Sequence, residues 1–418
     1  MSTAELKDTA HKENRKNRKR QSLLSGLTIR GEKVFVDGGF DIIYLFLVMA
    51  LLTTGLIMMA SASYVWGKFN DDDPYYYVKK QLLFAAIGIV AMFIISKINP
   101  QFIKKFAWHI SIIGFLLLVA VLFYHVEVPE NPDIKRWMKI PGTSFTFQPS
   151  DVGKLAMIIG LAWGLEKGKK LLDRNIFAPL LFFGIVGVIS ILIFAESHLS
   201  CFVMMFLMGV GILFLSGIDR RWFIFFTVIG IVAIGVFLLV YDKILSPYQV
   251  ERLTSFMNKD YTDTDSRWQT NQSLFALGSG GLFGLGLGNS RQKFLYIPEP
   301  HNDFIFAIVG EELGFFRSAI IILLFLALVA RGFIIAARTK SMFERLLVLG
   351  VSLQVGIQSV LNILVVTDMM PNTGISLPFF SYGGTALVIL MAEMGLVLSV
   401  SRTGARGIRK SSGDSNAE

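Results

Sequence analysis

An all-α integral membrane protein of about ten transmembrane helices is the fold class this sequence predicts, and three observations predict it. The 418 residues are 53% hydrophobic and only 17% charged, whereas a soluble domain carries about 25% charged residues. The apolar residues gather in runs close to the roughly 20 residues that a bilayer-spanning helix requires. The net charge of +9 sits at the ends of those runs. That distribution suits membrane topology, not a nucleic-acid-binding face.

The elements follow in order. Residues 1–39 are polar and basic ("KENRKNRKR"), too long and too charged for a cleavable signal peptide, and read as a disordered cytoplasmic tail. Ten spans are expected at about 40–61, 81–98, 107–125, 151–166, 177–196, 198–217, 222–241, 304–332, 346–367 and 381–401. Ten crossings put both termini on one side. With that side inside, most of the 40 Lys and Arg fall in the tails and the inner loops, which are short and basic, such as "EKGKK" and "IDRR". One membrane domain, 40–403, is therefore expected, followed by a second cytoplasmic tail, 404–418. The single cysteine, Cys201, lies in an apolar run and reads as a small core residue.

The outer loops are unequal. The largest, 242–303, contains "QSLFALGSGGLFGLGLGNS", too short and too broken to span, and reads as a re-entrant or surface-lying element beside a cavity. The same loop holds "FMNKDYTDTDSRWQ", where Asp260, Asp263 and Asp265 crowd together.

Three constellations could carry chemistry. In "DIKRWMKIPGTSFTFQPSDVGK", Lys135, Arg136 and Lys139 cluster on the outer face, with Lys154 at the mouth of the fourth span. They read either as lipid-headgroup contacts or as a site for an anionic ligand such as phosphate. In "PHNDFIFAIVGEELG", Asp303, Glu311 and Glu312 lie at the start of the eighth span. Carboxylates at that depth are costly and face a wet cavity or an ionic partner. In "MMPNTGISLPFFSYGG", prolines and glycines break the entry to the last span. That is either a kinked entry or a cavity wall where a ligand approaches the backbone. There is no Walker A loop, dinucleotide fingerprint, HExxH or CxxC, so no nucleotide site is expected.

Taken together and in order, "MMASAS", "KRW", "FQPSDVGK", the stretch from Gln272 to Phe315, and "PNTGISLPFFSYGG" resemble the SEDS family (shape, elongation, division and sporulation), over roughly residues 40–403. The resemblance implies a ten-helix peptidoglycan glycosyltransferase of the bacterial cytoplasmic membrane. It would polymerise lipid II at the outer face, beside a class B penicillin-binding protein and other division or elongation proteins. The resemblance further implies that Arg136 and Lys154 meet the diphosphate, with Lys135, Gln148 and Ser381 as further substrate-binding residues. Asp303, Glu311 and Glu312 become cavity or metal-site residues, and a divalent cation, Mg or Mn, is expected to help neutralise the leaving group. A lipid II flippase and a noncatalytic scaffold for the transpeptidase are the alternatives.

Two departures from the family pattern stand out. Its "PDLG" turn after the fifth span reads "SHLS" here, so His198 replaces an aspartate. The "DP" pair of the large loop, whose Asp would be the base, falls on Thr262 and Asp263. Asp263 is therefore the first candidate base, Asp260 the second and Asp265 the third.

Overall fold

Helices dominate because lipid offers no partner to an unpaired backbone N–H or C=O, so each span must satisfy its own. The computed structural model describes residues 28–29, 32–36, 38–126, 135–139, 142, 146–258, 265–372 and 374–414. Two short strands, β1 (Thr28–Ile29) and β2 (Glu32–Lys33), pair antiparallel within the stretch expected as tail. The next residues lie extended along the turn at 97–99: the Val36 N–H donates to Lys97 O and the Asn99 N–H to Val34 O, both at 2.8 Å.

Several helices begin on a capping side chain or a first-turn proline. α1 (Ile42–Asn70) follows Asp41, whose carboxylate accepts from the Tyr44 N–H at 2.9 Å and pairs with Arg331 at 2.7 Å. After α2 (Tyr76–Ile95), Asn99 caps α3 (Pro100–Phe123). Pro100 sits in the first turn, where a missing N–H breaks no helical bond. A two-residue hairpin, β3 (Met138–Lys139) with β4 (Thr146–Phe147), leads into α4 (Pro149–Lys167), which also opens on proline. The chain continues through α5 (Lys169–Arg174), α6 (Ala178–Ala195), α7 (Leu199–Leu215) and α8 (Arg220–Ile244). A Ser246–Gln249 capping box starts the amphipathic α9 (Pro247–Met257). α10 (Asp265–Gly280), α11 (Ile305–Ala337), α12 (Met342–Val366) and α13 (Gly384–Asp414) complete the chain.

All ten stretches expected to span fall on helices: α1 to α4, α6 to α8 and α11 to α13. Among the described residues seven of these are long and apolar enough to cross a membrane: α1, α2, α3, α6, α11, α12 and the Gly384–Thr403 part of α13. The chain is a multi-pass membrane protein. α12 is the most enclosed of the seven and packs against α11, α7 and α4, while α13 lies along α2 and α1 along α11. Gln354, Gln358 and Asn362 stand four residues apart and so form one polar stripe along α12. Their amides donate to Glu393 (2.8 Å), to the Ser376 carbonyl (2.9 Å), and to the carbonyls of Asp303 and Ile375 (both 2.7 Å). That stripe ties the non-helical wall before α13 to the centre of the bundle.

The glycine-rich segment divides. Its first part continues α10, and the remainder folds back over the start of α11 without regular structure. α11 is interrupted at Gly314, which has φ +73° and ψ −178°, and a Cβ there would collide with the backbone of Phe283 and Gly284. Only glycine adopts this conformation without strain. Gly314→Ala is expected to destabilise the protein by about 1–3 kcal/mol. The check is a lowered Tm in detergent, with Ala at neighbouring exposed Phe315 as a control that leaves the Tm near the parent value.

Candidate functional site

A cavity of about 740 Å³ opens among α2, α4, α7, α12, α13 and the loops at 136–148 and 299–303. One side is apolar, with Leu83 and Phe84 from α2 facing Leu387 and Leu390 from α13. Leu83 is 58% exposed, so this wall reaches the bundle's outer, lipid-facing surface. The opposite end is polar and charged: Arg136, Gln148, Asp151, Lys154, His198 and Asp303 all line it.

The charged end is organised around Gly374, which has φ +74°. A Cβ on this glycine would stand 3.2 Å from Asp303 Oδ2, 3.5 Å from an Arg252 guanidinium nitrogen and 3.7 Å from one of Arg136. One carboxylate and two guanidiniums therefore converge on a bare stretch of backbone. Burial pushes the Asp303 carboxyl above its usual range, and Arg252 and Arg136 pull it back down. Arg136 also donates to the Ser197 carbonyl, in the turn between α6 and α7. Deeper in, Lys154 is 8% exposed and bonded to Asp151 at 2.7 Å, one turn away on α4. Behind Arg136, Glu196 is fully buried with neither carboxylate oxygen hydrogen-bonded, and burial pushes its carboxyl up to about 8.

The residues expected from sequence separate into three groups. Arg136, Lys154, Gln148, Ser381 and Asp303 all line the one cavity, although they span 245 positions of the chain. The Ser381 hydroxyl is already committed, accepting from the Leu377 N–H at 2.7 Å and donating to the Asn302 carbonyl at 2.8 Å, so it shapes the wall. Lys135 is half-buried and outside the lining. Asp260 and Asp263 lie outside the described residues, and Asp265 opens α10.

Glu311 and Glu312 are corrections. Both are fully buried, and neither faces the cavity. Glu311 accepts from Ser290 Oγ (2.5 Å) and the Arg291 N–H (2.9 Å). Glu312 accepts from Lys293 (2.9 Å), Ser61 (2.7 Å) and the Ser290 N–H (3.2 Å). They fasten the glycine-rich segment to α11 and α1. Their partners lie 19 to 22 positions away and at Ser61, where no local pattern could reveal them.

These placements bear on the expected divalent cation. No group of three His, Cys, Asp or Glu side chains comes together among the described residues. Asp151 is bonded to the Lys154 ammonium and Glu299 to the Asn302 amide at 2.6 Å, while Asp303 feels the charge of both guanidiniums. The described residues do not fit a resident cation, and no step below passes through one.

Sequence reading missed Arg252. It sits on the amphipathic α9, and that helix's Ser246–Pro247 cap with Gln249 was the available signal that part of the large loop is ordered. His198, which stands where the family pattern has an aspartate, lines the cavity and bonds Gln148.

Known proteins match most of this chain. Residues 42–405 match the family model for FtsW, RodA and SpoVE, described as cell cycle proteins. Stage V sporulation protein E of Bacillus subtilis (strain 168) is 40% identical over 365 residues, covering 87% of this chain and 97% of that protein. The probable peptidoglycan glycosyltransferase FtsW of Geobacter sp. (strain M18) is 34% identical over 364 residues, covering 87% and 97%. In fold, a chain of a peptidoglycan synthase complex that coordinates polymerization and crosslinking superposes with a TM-score of 0.69 at 24% identity, covering 87% of this chain and 98% of that one. The rod shape determining protein RodA of Thermus thermophilus superposes at 0.61 and 24%, covering 87% and 97%.

Proposed function

Because the chain belongs to the FtsW/RodA/SpoVE family of cell cycle proteins, we propose that its cavity is the active site of a peptidoglycan glycosyltransferase serving cell division or cell shape. The cavity that carries the proposal joins an apolar wall reaching the lipid-facing surface to an end bearing Arg136, Lys154 and Asp303, with Arg252 beside it. A lipid-linked diphosphate sugar has the same two parts. The prenyl chain of lipid II lies against α2 and α13, and the diphosphate meets the cations. Arg136 and Arg252 stabilise the negative charge that builds on the leaving diphosphate as the glycosidic bond forms. Lys154, already shared with Asp151, contributes less.

Polymerisation also needs a base for the acceptor hydroxyl. We assign it to Asp263, with Asp260 second, on the placement of the flanking residues. On one side, α9 brings Arg252 to Gly374. On the other, α10 pairs Arg267 with Asp368 (3.0 Å), and Gln269 accepts from the Asn372 amide (2.9 Å). The helices α9 and α10, which come before and after 259–264 in the chain, thus both meet the wall near Asp368, Asn372 and Gly374. The partner we propose is a class B penicillin-binding protein, which would crosslink the strands. Chain ends on the cytoplasmic side and the cavity facing outward complete the proposal.

The deciding experiment uses the purified full chain with such a transpeptidase, in detergent, on labelled lipid II. Glycan strands on a gel are the expected result. Their absence with a folded protein overturns the proposal, since detergent removes sidedness and neither a flippase nor a scaffold would make polymer. In that assay Arg136→Ala is expected to cost about ten- to a hundredfold in kcat/KM, the worth of one charge-assisted hydrogen bond. Parent-level turnover would remove Arg136 from the diphosphate.

A further inference from the structure

We infer that His198 is a positioning residue: its two ring nitrogens join Gln148 to the backbone at Gly374, and so fix the cavity wall on which the two arginines converge. The residue is 8% exposed and stands just ahead of α7, between the elements that carry Gln148 and Gly374. Gln148 ends the β3–β4 hairpin and precedes α4, and its amide nitrogen is 3.0 Å from His198 Nδ1. An amide nitrogen can only donate, so Nδ1 accepts, and the ring proton sits on Nε2. We assign the ring's other hydrogen bond to the Gly374 backbone, which lines the same cavity. With the proton on Nε2, that bond runs from the ring to the carbonyl.

The surroundings favour this neutral form. Burial, with Arg136, Lys154 and Arg252 nearby, holds the imidazole well below its usual range. Lys154 is balanced by Asp151. A positive charge at 198 would face both arginines, and could no longer accept from Gln148. A carboxylate would accept from Gln148 but could not donate to Gly374, and would draw the guanidiniums away from a phosphate. Neutral histidine accepts on one side, donates on the other, and leaves the cations to the ligand. The described residues of 371–383 lie outside any helix; this clamp works on their first part beside the Gln358, Asn362 and Gln269 bonds, while Gln81, His301 and Asn302 hold the part at 381–383.

The test has a structural arm and a kinetic arm, and only the kinetic arm rests on the glycosyltransferase proposal. Hydrogen–deuterium exchange is measured on the full chain in detergent. In His198→Ala, amides in 371–384 and around 148 are expected to exchange at least about threefold faster, the loss of one neutral hydrogen bond. Gln148→Leu, which keeps the imidazole, is expected to loosen 371–384 too. In His198→Gln, whose amide both accepts and donates, exchange returns most of the way to the parent. On lipid II, kcat/KM is expected to fall about three- to tenfold in His198→Ala and in Gln148→Leu, with the double variant no worse than either single. His198→Gln recovers most of the loss. Parent-like exchange in His198→Ala, a His198→Gln variant as loose as alanine, or additive kinetic losses would each overturn the clamp. If the parent makes no polymer, the glycosyltransferase proposal fails, and the exchange arm still decides the clamp.

Discussion

Asp263→Ala is expected to lower glycan-strand synthesis by about 10²–10⁴-fold, the usual contribution of a positioned general base, while the protein still inserts, folds and binds its transpeptidase. The acceptor sugar's hydroxyl does not attack until its proton has somewhere to go. The described cavity offers few takers. Asp151 is bonded to Lys154, and Asp303 faces two guanidiniums. The three loop aspartates are a further supply, and the adjoining helices α9 and α10 both meet the wall carrying Gly374. Strand synthesis from labelled lipid II by the purified pair is the measurement. Should only the combined substitution of Asp260, Asp263 and Asp265 stop synthesis, the three are interchangeable. An active triple variant moves the base to Asp303.

Lys293→Met is expected to give the largest loss of stability, about 3–5 kcal/mol, as for any buried ion pair that loses one member. Lys293 is 4% exposed at its side chain and Glu312 0%. The ammonium touches Glu312, Ser61 and the Gly288 carbonyl, so its removal leaves a buried carboxylate with no cationic partner, held only by the Ser61 hydroxyl and the Ser290 N–H. Thermal melting in detergent checks this. Lys293→Met with Glu312→Leu should recover a large part of the loss, because the orphaned charge goes with its partner. A single variant that melts with the parent would show that the pair does not hold the segment.

What could be read in advance follows from the range of each interaction. The ten apolar stretches are local facts, and each became a helix because composition alone decides what lies in lipid. Arg136, Gln148, Asp303 and Ser381 sit in motifs whose order along the chain resembles a known family, and all four reach one cavity. Glu311 and Glu312 were placed there by proximity to Asp303 in sequence. The fold turns them away, because Lys293, Ser290 and Ser61 needed acceptors more than the cavity did. Arg252 was hidden in a long loop whose only advance signal was a capping box. His198 was judged by its residue type, whereas its role depends on two neighbours from elements 50 and 176 positions away.

The latch near the chain ends has a consequence for synthesis on the ribosome. Val36 finds its partner at Lys97, so that pairing can close once the first quarter of the chain has emerged. Asp41, by contrast, waits 290 positions for Arg331, and Gly38 waits 364 for Arg402. The first helix is therefore held at its loose end until the last one arrives. A chain cut short before α11 keeps an uncompensated aspartate at the head of α1, and a chain cut before Arg402 leaves the latch open.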